Sequence, residues 1–307
     1  MDLPNISPTV ILSGASGMLG RAIQRALTSR GNRTLQLLRR YPESEGGLAW
    51  DPTADPAISN AAPLEGAAAA IHLSGASVAG HRWTEAYRRE MTASRVDSTR
   101  RLATVLEGLR NAPKTFLVAS AVGIYGNRGD EVLDESSVHG NGFLANLCQD
   151  WEAAAEPARQ AGIRVVHLRF GVVLGAGEGA LKQILPPFRI GLGARMGNGR
   201  QWMSWVALAD AVGAVLFALD RTDIRGPLNV TAPNPVTNGE FTRALGRQLG
   251  RPAFLAVPSF AMRLMFGQMA DEALLASARV KPGKLQGAGF QFVLPTVDEA
   301  LAAALNA

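Results

Sequence analysis

Seven residues near the start of the chain limit its folding choices more than any others. Gly14-Ala15-Ser16-Gly17-Met18-Leu19-Gly20 spaces three glycines as G-x-x-G-x-x-G. In such a pattern the first glycine allows a tight turn, the second lets backbone approach a pyrophosphate, and the third lets a helix pack closely on a sheet. The pattern alone is weak, and its flanks give it meaning. Thr9-Val10-Ile11-Leu12-Ser13 is a short apolar run, β-branched at its start, and predicts a buried strand. Met18 to Ser29 carries Leu19, Ile23, Ala26 and Leu27 at helical spacing, and Gly31-Asn32 stops that helix. Thr34 to Leu38 predicts a second strand, so the first 38 residues form a βαβ unit with the glycine turn at the helix N-terminus. That positive helix end is where a phosphate is held.

The alternation continues. Strands are predicted at Ala68 to Leu73, Thr115 to Ser120 and Arg164 to Arg169. One long helix is predicted from Thr84 to Leu109 and another from Phe143 to Ala161. Repeated β-α-β units imply an α/β fold, a doubly wound parallel sheet of Rossmann type with helices on both faces. After residue 174 the character changes. Gly175 to Trp205 is rich in glycine and arginine and predicts loop and short helix; Asp210 to Leu219 is helical; Pro227 to Val230 is a late strand. The expected organisation is a dinucleotide-binding domain over 1–174, rejoined by 205–232, and a smaller, mostly helical substrate region over 175–204 and 233–307. That region should pack over the C-terminal ends of the strands.

The end of the second strand bears on cofactor choice. An acidic residue there bonds the ribose 2′-OH of NAD, and an arginine accommodates the 2′-phosphate of NADP. Here the strand runs into Arg39-Arg40, with no carboxylate before Glu43. A guanidinium fork suits a phosphate dianion, which favours NADP(H) and leaves NAD(H) as the alternative. Composition narrows the partners. The net charge is +5, almost all of the basic charge is arginine, and lysine occurs only at 114, 182, 281 and 284. These arginines are scattered and form no basic block interleaved with aromatics, so no nucleic-acid partner is expected. No run is long enough for a membrane span, and Met1-Asp2-Leu3-Pro4 has no signal-like character, so no membrane partner is expected. The single Cys148 excludes an intrachain disulfide, and a reducing cytoplasm is the expected compartment. His72, His81, His139 and His167 never fall at metal-ligand spacing, so no metal is expected.

With these motifs in place the chain resembles the extended short-chain dehydrogenase/reductase superfamily, of the NAD(P)-dependent epimerase/dehydratase type. Within it, the chain is similar to an atypical epimerase-like family. The resemblance covers nearly the whole chain. It rests on the glycine turn, Trp50-Asp51-Pro52, His72-Leu73-Ser74-Gly75-Ala76-Ser77, Arg95-Val96-Asp97-Ser98-Thr99 and Ser120-Ala121-Val122-Gly123-Ile124-Tyr125-Gly126. It continues through Asp150-Trp151-Glu152, Leu168 to Gly175 and Trp202-Met203-Ser204-Trp205. The stretch from about 251 to 296 resembles the small C-terminal domain of unassigned function that accompanies this family. The resemblance implies that Gly14, Ser16, Gly17, Met18, Leu19, Gly20, Leu73, Ser74 and Gly75 face the cofactor. It sets Ser120 and Ala121 beside the nicotinamide, and Trp83, Tyr125, Arg200, Gln201 and Trp205 on the substrate side.

One part of the superfamily pattern is missing. Its tyrosine and lysine, spaced Y-x-x-x-K, act with the cofactor ribose so that the tyrosine moves a proton near neutral pH. Four residues after Tyr41, Tyr87 and Tyr125 stand Glu45, Met91 and Gly129, so no such pair exists. By the resemblance, the tyrosine position falls on Leu144, the lysine position on Cys148 and the usual serine or threonine on Ala121. Ser120 and Tyr125 are the substitute catalytic candidates, with Tyr125 expected to lean over the nicotinamide as a hydrogen-bond donor. Phe188 to Arg200 is glycine-rich and carries Arg189, Arg195 and Arg200; it is expected to close over an anionic ligand. The helix bearing Met262, Met265 and Met269 reads as core or as a homodimer face. Two functions follow: an NADP(H)-dependent oxidoreductase or epimerase on a small, anionic or nucleotide-linked compound, or a non-catalytic NADP(H)-binding sensor or assembly protein.

Overall fold

The computed structural model describes residues 8–39 and 46–306. Arg40 and Glu43 lie outside them. The glycine turn stands where the sequence sets it, between β1 (Thr9–Ser13) and α1 (Met18–Ser29). After α1 come β2 (Arg33–Leu38), β3 (Gly47–Ala49) and β4 (Ala69–His72). The predicted long helix runs without a break as α2 (Glu85–Thr92), a π turn over Ala93–Asp97 and α3 (Ser98–Glu107). Then follow β5 (Thr115–Ala121), a 3₁₀ turn over Val122–Tyr125, β6 (Val132–Leu133), α4 (Phe143–Ala153), α5 (Glu156–Gln160) and β7 (Arg164–Phe170). The single helix expected over 143–161 is two, because Pro157 at the start of α5 has no N–H to continue the ladder of α4.

The second half supplies β8 (Val172–Leu174), α6 (Gly179–Arg189), β9 (Ala194–Met196), β10 (Trp202–Met203), β11 (Trp205–Ala207) and α7 (Leu208–Asp220). It closes with β12 (Gly226–Val230), β13 (Val236–Thr237), α8 (Asn238–Leu249), β14 (Leu255–Val257), α9 (Ser259–Phe266), β15 (Arg279–Val280), α10 (Gly283–Gly287) and α11 (Val297–Leu305). Seven strands form one parallel sheet in the order β12-β7-β5-β4-β1-β2-β3. The order reverses between β1 and β4, which opens a crevice at the strand C-terminal ends. This is the doubly wound Rossmann arrangement that the sequence predicts.

Strand alternation builds a core on each face. Ile11, Phe116 and Val118 point to one side, where Trp50, Met91, Leu102, Leu106 and Trp151 cover them. Val10, Leu12 and Leu117 point to the other, beneath Ile23 and Leu27 of α1 and Ala211, Ala214 and Val215 of α7. A third cluster, with Leu181, Leu185, Phe188, Trp205, Phe241, Leu245 and Leu301, packs α6, α8 and α11 together. Carboxylates fasten the late segments: the buried Asp210 accepts the N–H groups of Val293 and Leu294 at 2.7 and 3.0 Å. Glu135 accepts those of Asn229 and Lys284.

His72 is a fixed joint at the switch point. It is fully buried, with Nδ1 2.6 Å from Ser13 Oγ of β1 and Nε2 3.1 Å from Ser98 Oγ of α3. Burial pulls its pKa from 6.5 down to about 4, so the folded chain holds it neutral while the unfolded chain takes up a proton below about pH 6.5. Stability is therefore expected to fall as the pH drops from 6.5 toward 4, by up to about 1.4 kcal/mol per pH unit from this histidine. Urea unfolding across this range should show that slope, and His72→Gln should flatten it. An identical slope in the variant would show that His72 is not its source. His167, whose pKa burial also lowers, accounts for a residual slope.

Candidate functional site

The crevice has two lobes that meet at Gly14. One is a groove of about 1160 Å³, walled by Gly14, Ser16, Leu38, Arg39, Ser74 and Gly75 together with Asp97, Arg100 and Arg101. The other is a cavity of about 590 Å³, walled by Gly14, Gly17, Met18, Leu19, Gly20 and Leu73 on one side and by Ser120, Ala121, Leu144 and Cys148 on the other. The backbone between the lobes is packed to its limit. A Cβ on Gly14, whose φ is +70°, would lie 2.9 Å from the Leu73 carbonyl carbon, and one on Gly20 would collide with the Gly14 carbonyl oxygen. Gly17 caps α1 without a side-chain bond, and the first turn holds no acidic residue. The free N–H groups of that turn therefore meet the crevice with no competing carboxylate beside them on the helix, which suits a pyrophosphate. Arg39 is exposed at the far end of the larger groove. The residues present fit a dinucleotide laid across both lobes, its phosphates at the glycine turn.

The structure sorts the remaining candidates. Ser120 and Ala121 end β5 at the cavity wall, and Gln201 lines the same cavity. Ser120 Oγ donates to Glu152 Oε1 at 2.8 Å. Glu152 also accepts from Arg169 Nε and Nη2 at 2.7 and 2.8 Å, a bidentate pair whose side chains are 11% and 3% exposed. Burial works against the ionised Glu152, but the hydrogen bond and charge of Arg169 outweigh it and hold the carboxyl below its usual range. Leu144 and Cys148, at the positions of the missing pair, do stand at the cavity. Burial first, then the nearby Glu152, pushes the Cys148 thiol up to about 12, so it is a neutral, apolar wall.

Tyr125 does not lean over the nicotinamide side. The 3₁₀ turn after β5 swings it into a cluster with Ile124, Leu133, Cys148 and Val280, where it is fully buried. Its hydroxyl donates to Asn229 Oδ1 at 2.8 Å and accepts from Arg169 Nη1 at 2.9 Å. A buried phenol needs such partners, and here they lie behind the wall rather than in the cavity. Trp83 and Trp205 are also core rather than lining. Trp83 packs edge-on to Phe143 and donates to the Val78 carbonyl. Trp205 is fully buried and donates to the Asn234 carbonyl.

Arg189, Arg195 and Arg200 are exposed and absent from the walls of both lobes. Their segment is fastened rather than free: β9 pairs with β14, and Met196 N–H bonds Asn238 Oδ1 at 2.8 Å. Other residues enter the site with no role assigned from the sequence, although Arg95 opens one of the motifs quoted there. Arg95 and Glu272 carry charge into the smaller cavity, and Glu272 Oε2 caps α4 by accepting the Leu144 N–H at 2.8 Å. Arg100 and Arg101 join Arg39 in the groove. No group of three or more His, Cys, Asp or Glu that could hold a metal occurs among the described residues.

Tyr125→Phe separates a catalytic from a packing role. The substitution leaves Asn229 Oδ1 and one Arg169 N–H unpaired, so it should cost about 1–3 kcal/mol of stability with cofactor affinity unchanged. Chemical unfolding and cofactor titration of the variant check this. A wild-type stability with a lost affinity would return Tyr125 to the cavity.

Comparison with known proteins agrees with this geometry. Residues 10–230 match the NAD dependent epimerase/dehydratase family, and residues 257–304 match a domain of unknown function, DUF1731. The chain is 45% identical over 293 residues to an epimerase family protein of Mycobacterium leprae, covering 95% of this chain and 94% of that one. It is similar to the crystal structure of human epimerase family protein SDR39U1 (isoform 2) with NADPH, at a TM-score of 0.89 and 32% identity, over 97% of this chain and 99% of the other. A nucleoside-diphosphate sugar epimerase from Corynebacterium glutamicum superposes at a TM-score of 0.80 and 34% identity, over 97% of this chain and 58% of the longer one. A dinucleotide crevice at the switch point, an altered tyrosine–lysine position and a matched C-terminal domain sit in one chain, and that chain belongs to the NAD-dependent epimerase/dehydratase family.

Proposed function

We propose that this protein binds NADP(H) across the two lobes and works as an oxidoreductase or epimerase on a small, nucleotide-linked or anionic compound bound in the smaller cavity. The observation that carries the reading is the meeting of both lobes at an uncapped helix N-terminus, with the hydroxyl of Ser120 on the wall of the inner one. Bound there, the cofactor supplies or accepts a hydride. Around it, the chain's own groups have limited work. The α1 N–H groups hold phosphate, and Arg39 meets the 2′-phosphate, with Arg100 and Arg101 on the same groove. Ser120 donates its O–H in a hydrogen bond to Glu152, so its oxygen is left to accept a hydrogen bond from a substrate hydroxyl. Glu152, held ionised by Arg169, is a weak base at neutral pH. Proton movement then falls to Ser120, to water or to the substrate itself, which implies modest turnover without a tyrosinate limb in the pH profile. The NADPH in the solved human relative supports the choice of cofactor.

A second reading has its own support. Leu144 and Cys148 make the usual acid–base position apolar, which suits a protein that senses cofactor state without turnover. Both readings share the cofactor. Calorimetric titration should give tighter binding of NADPH than of NADH. Arg39→Asp should weaken NADPH by about 1.5–3 kcal/mol, the worth of hydrogen bonds to a charged group, and leave NADH bound at least as well, because an acidic residue at this strand end suits a ribose 2′-OH. Equal affinity for the two cofactors in the wild-type chain would overturn the assignment to NADP(H).

A further inference from the structure

Arg95 is 8% exposed, and among the described residues it makes no ion pair. A guanidinium has five N–H donors. Here one bonds the Ala76 carbonyl at 2.8 Å and one the Met91 carbonyl at 3.3 Å. A buried cation without a carboxylate is unfavourable on its own account, and burial lowers its pKa. Its placement gives it a use. The π turn over Ala93–Asp97 inserts an extra residue between α2 and α3 and brings Arg95 to the wall of the smaller cavity. π turns are frequent at functional sites for this reason. The guanidinium lies 5.1 Å from the ring centroid of Trp151. Trp151 and Cys148 are three residues apart on α4 and share one face of it. Arg95 therefore lies against the face of α4 that carries Cys148, close enough for the thiol to feel its charge. Across from it, a Cβ on Gly75 would be 3.2 Å from Cζ of Arg95, so only a glycine leaves the guanidinium this room without adjustment.

We infer that Arg95 replaces the missing lysine: its guanidinium, brought from the π turn across Trp151 to the face of Cys148, bonds the hydroxyls of the ribose next to the nicotinamide. In the family pattern the cation rises from α4 itself; in this chain α4 offers a thiol, and the neighbouring helix provides the charge. The inference rests on the reading of the crevice as an NADP(H) site and adds a positioning role to it. Arg95 orients the ring-bearing half of the cofactor toward Ser120 and does not exchange protons with the substrate.

The test uses the full chain, two ligands and two variants. NADPH carries the ribose in question; adenosine 2′-phosphate 5′-diphosphate keeps the adenosine half and the diphosphate but lacks it. Arg95→Met should weaken NADPH about 10- to 100-fold, the range expected for charged hydrogen bonds, and leave the shorter nucleotide unaffected. The melting temperature without ligand reads separately the loss of the bonds to the Ala76 and Met91 carbonyls, and the shorter nucleotide, bound by the same variant, shows that the fold and the adenosine half are intact. Adding Cys148→Lys to Arg95→Met should recover NADPH affinity by returning the cation to α4. Unchanged NADPH affinity in Arg95→Met overturns the assignment. So does an equal loss for both ligands, which would move the contact to the diphosphate, and so does a double variant that binds no better than the single one. Failure of the wild-type chain to bind NADPH at all sinks the reading of the crevice itself, a result distinct from these.

Discussion

The switch point depends on pieces of backbone that meet with no side chain between them. Gly20 of α1 passes the Gly14 carbonyl oxygen with no room for a side chain, and Gly14 in turn passes the Leu73 carbonyl at the end of β4. These contacts fix how deeply α1 sinks onto the sheet and how close β1 and β4 lie where the strand order reverses. The crevice exists because the helix begins there, with its uncapped N–H groups turned outward. His72, one residue before Leu73, locks the same junction from beneath by joining Ser13 and Ser98. The glycines and the histidine thus act together: the first let the backbones meet, and the second holds them in register.

Behind the inner lobe runs a chain of buried polar groups: Ser120, Glu152, Arg169, Tyr125 and Asn229. It ties β5, α4, β7 and β12 to one another. The bidentate Glu152–Arg169 pair is its centre, and removing either partner would strand the other as an uncompensated buried charge. Much of the polar chemistry that looks catalytic in the sequence is spent on this scaffold. Ser120 alone belongs to both the scaffold and the cavity wall.

The parts of this picture that could be read in the sequence are those set by backbone. Glycine spacing, strand runs and the Gly31-Asn32 stop each demand one local conformation, so the βαβ unit and the parallel sheet follow from them. The position of Arg39 on the groove was legible because a strand end has a fixed place in this fold. Side-chain direction was not. Tyr125 is five residues from Ser120, near enough in sequence to face the same cavity, yet a 3₁₀ turn points it into the core. Trp83 and Trp205 carry the size of pocket residues and satisfy their N–H groups on backbone carbonyls instead. The place of Arg95, a residue of a quoted motif, on the cavity wall was hidden for a different reason: regular helical periodicity over 84–109 gives no sign of a π turn, and that turn changes which face each later residue presents. Glu272 was beyond reach because its contact with Leu144 spans 128 residues.

That last contact has a consequence for how the molecule is made. The helix that walls the inner cavity is capped by a carboxylate synthesised long after it. During synthesis the N-terminal parts of a chain are available first, and a domain completes as a unit. The strands up to β7 and α7, which covers one face of them, all precede Glu272 in the chain, and the first turn of α4 holds an orphan N–H until Glu272 arrives. The late segments that Asp210 fastens, at Val293 and Leu294, come later still. The nucleotide cradle at Gly14 to Gly20 is thus among the first features available to a growing chain, and the inner cavity among the last. The order of synthesis separates the capacity to hold a nucleotide from the completed chamber in which anything could be done with it.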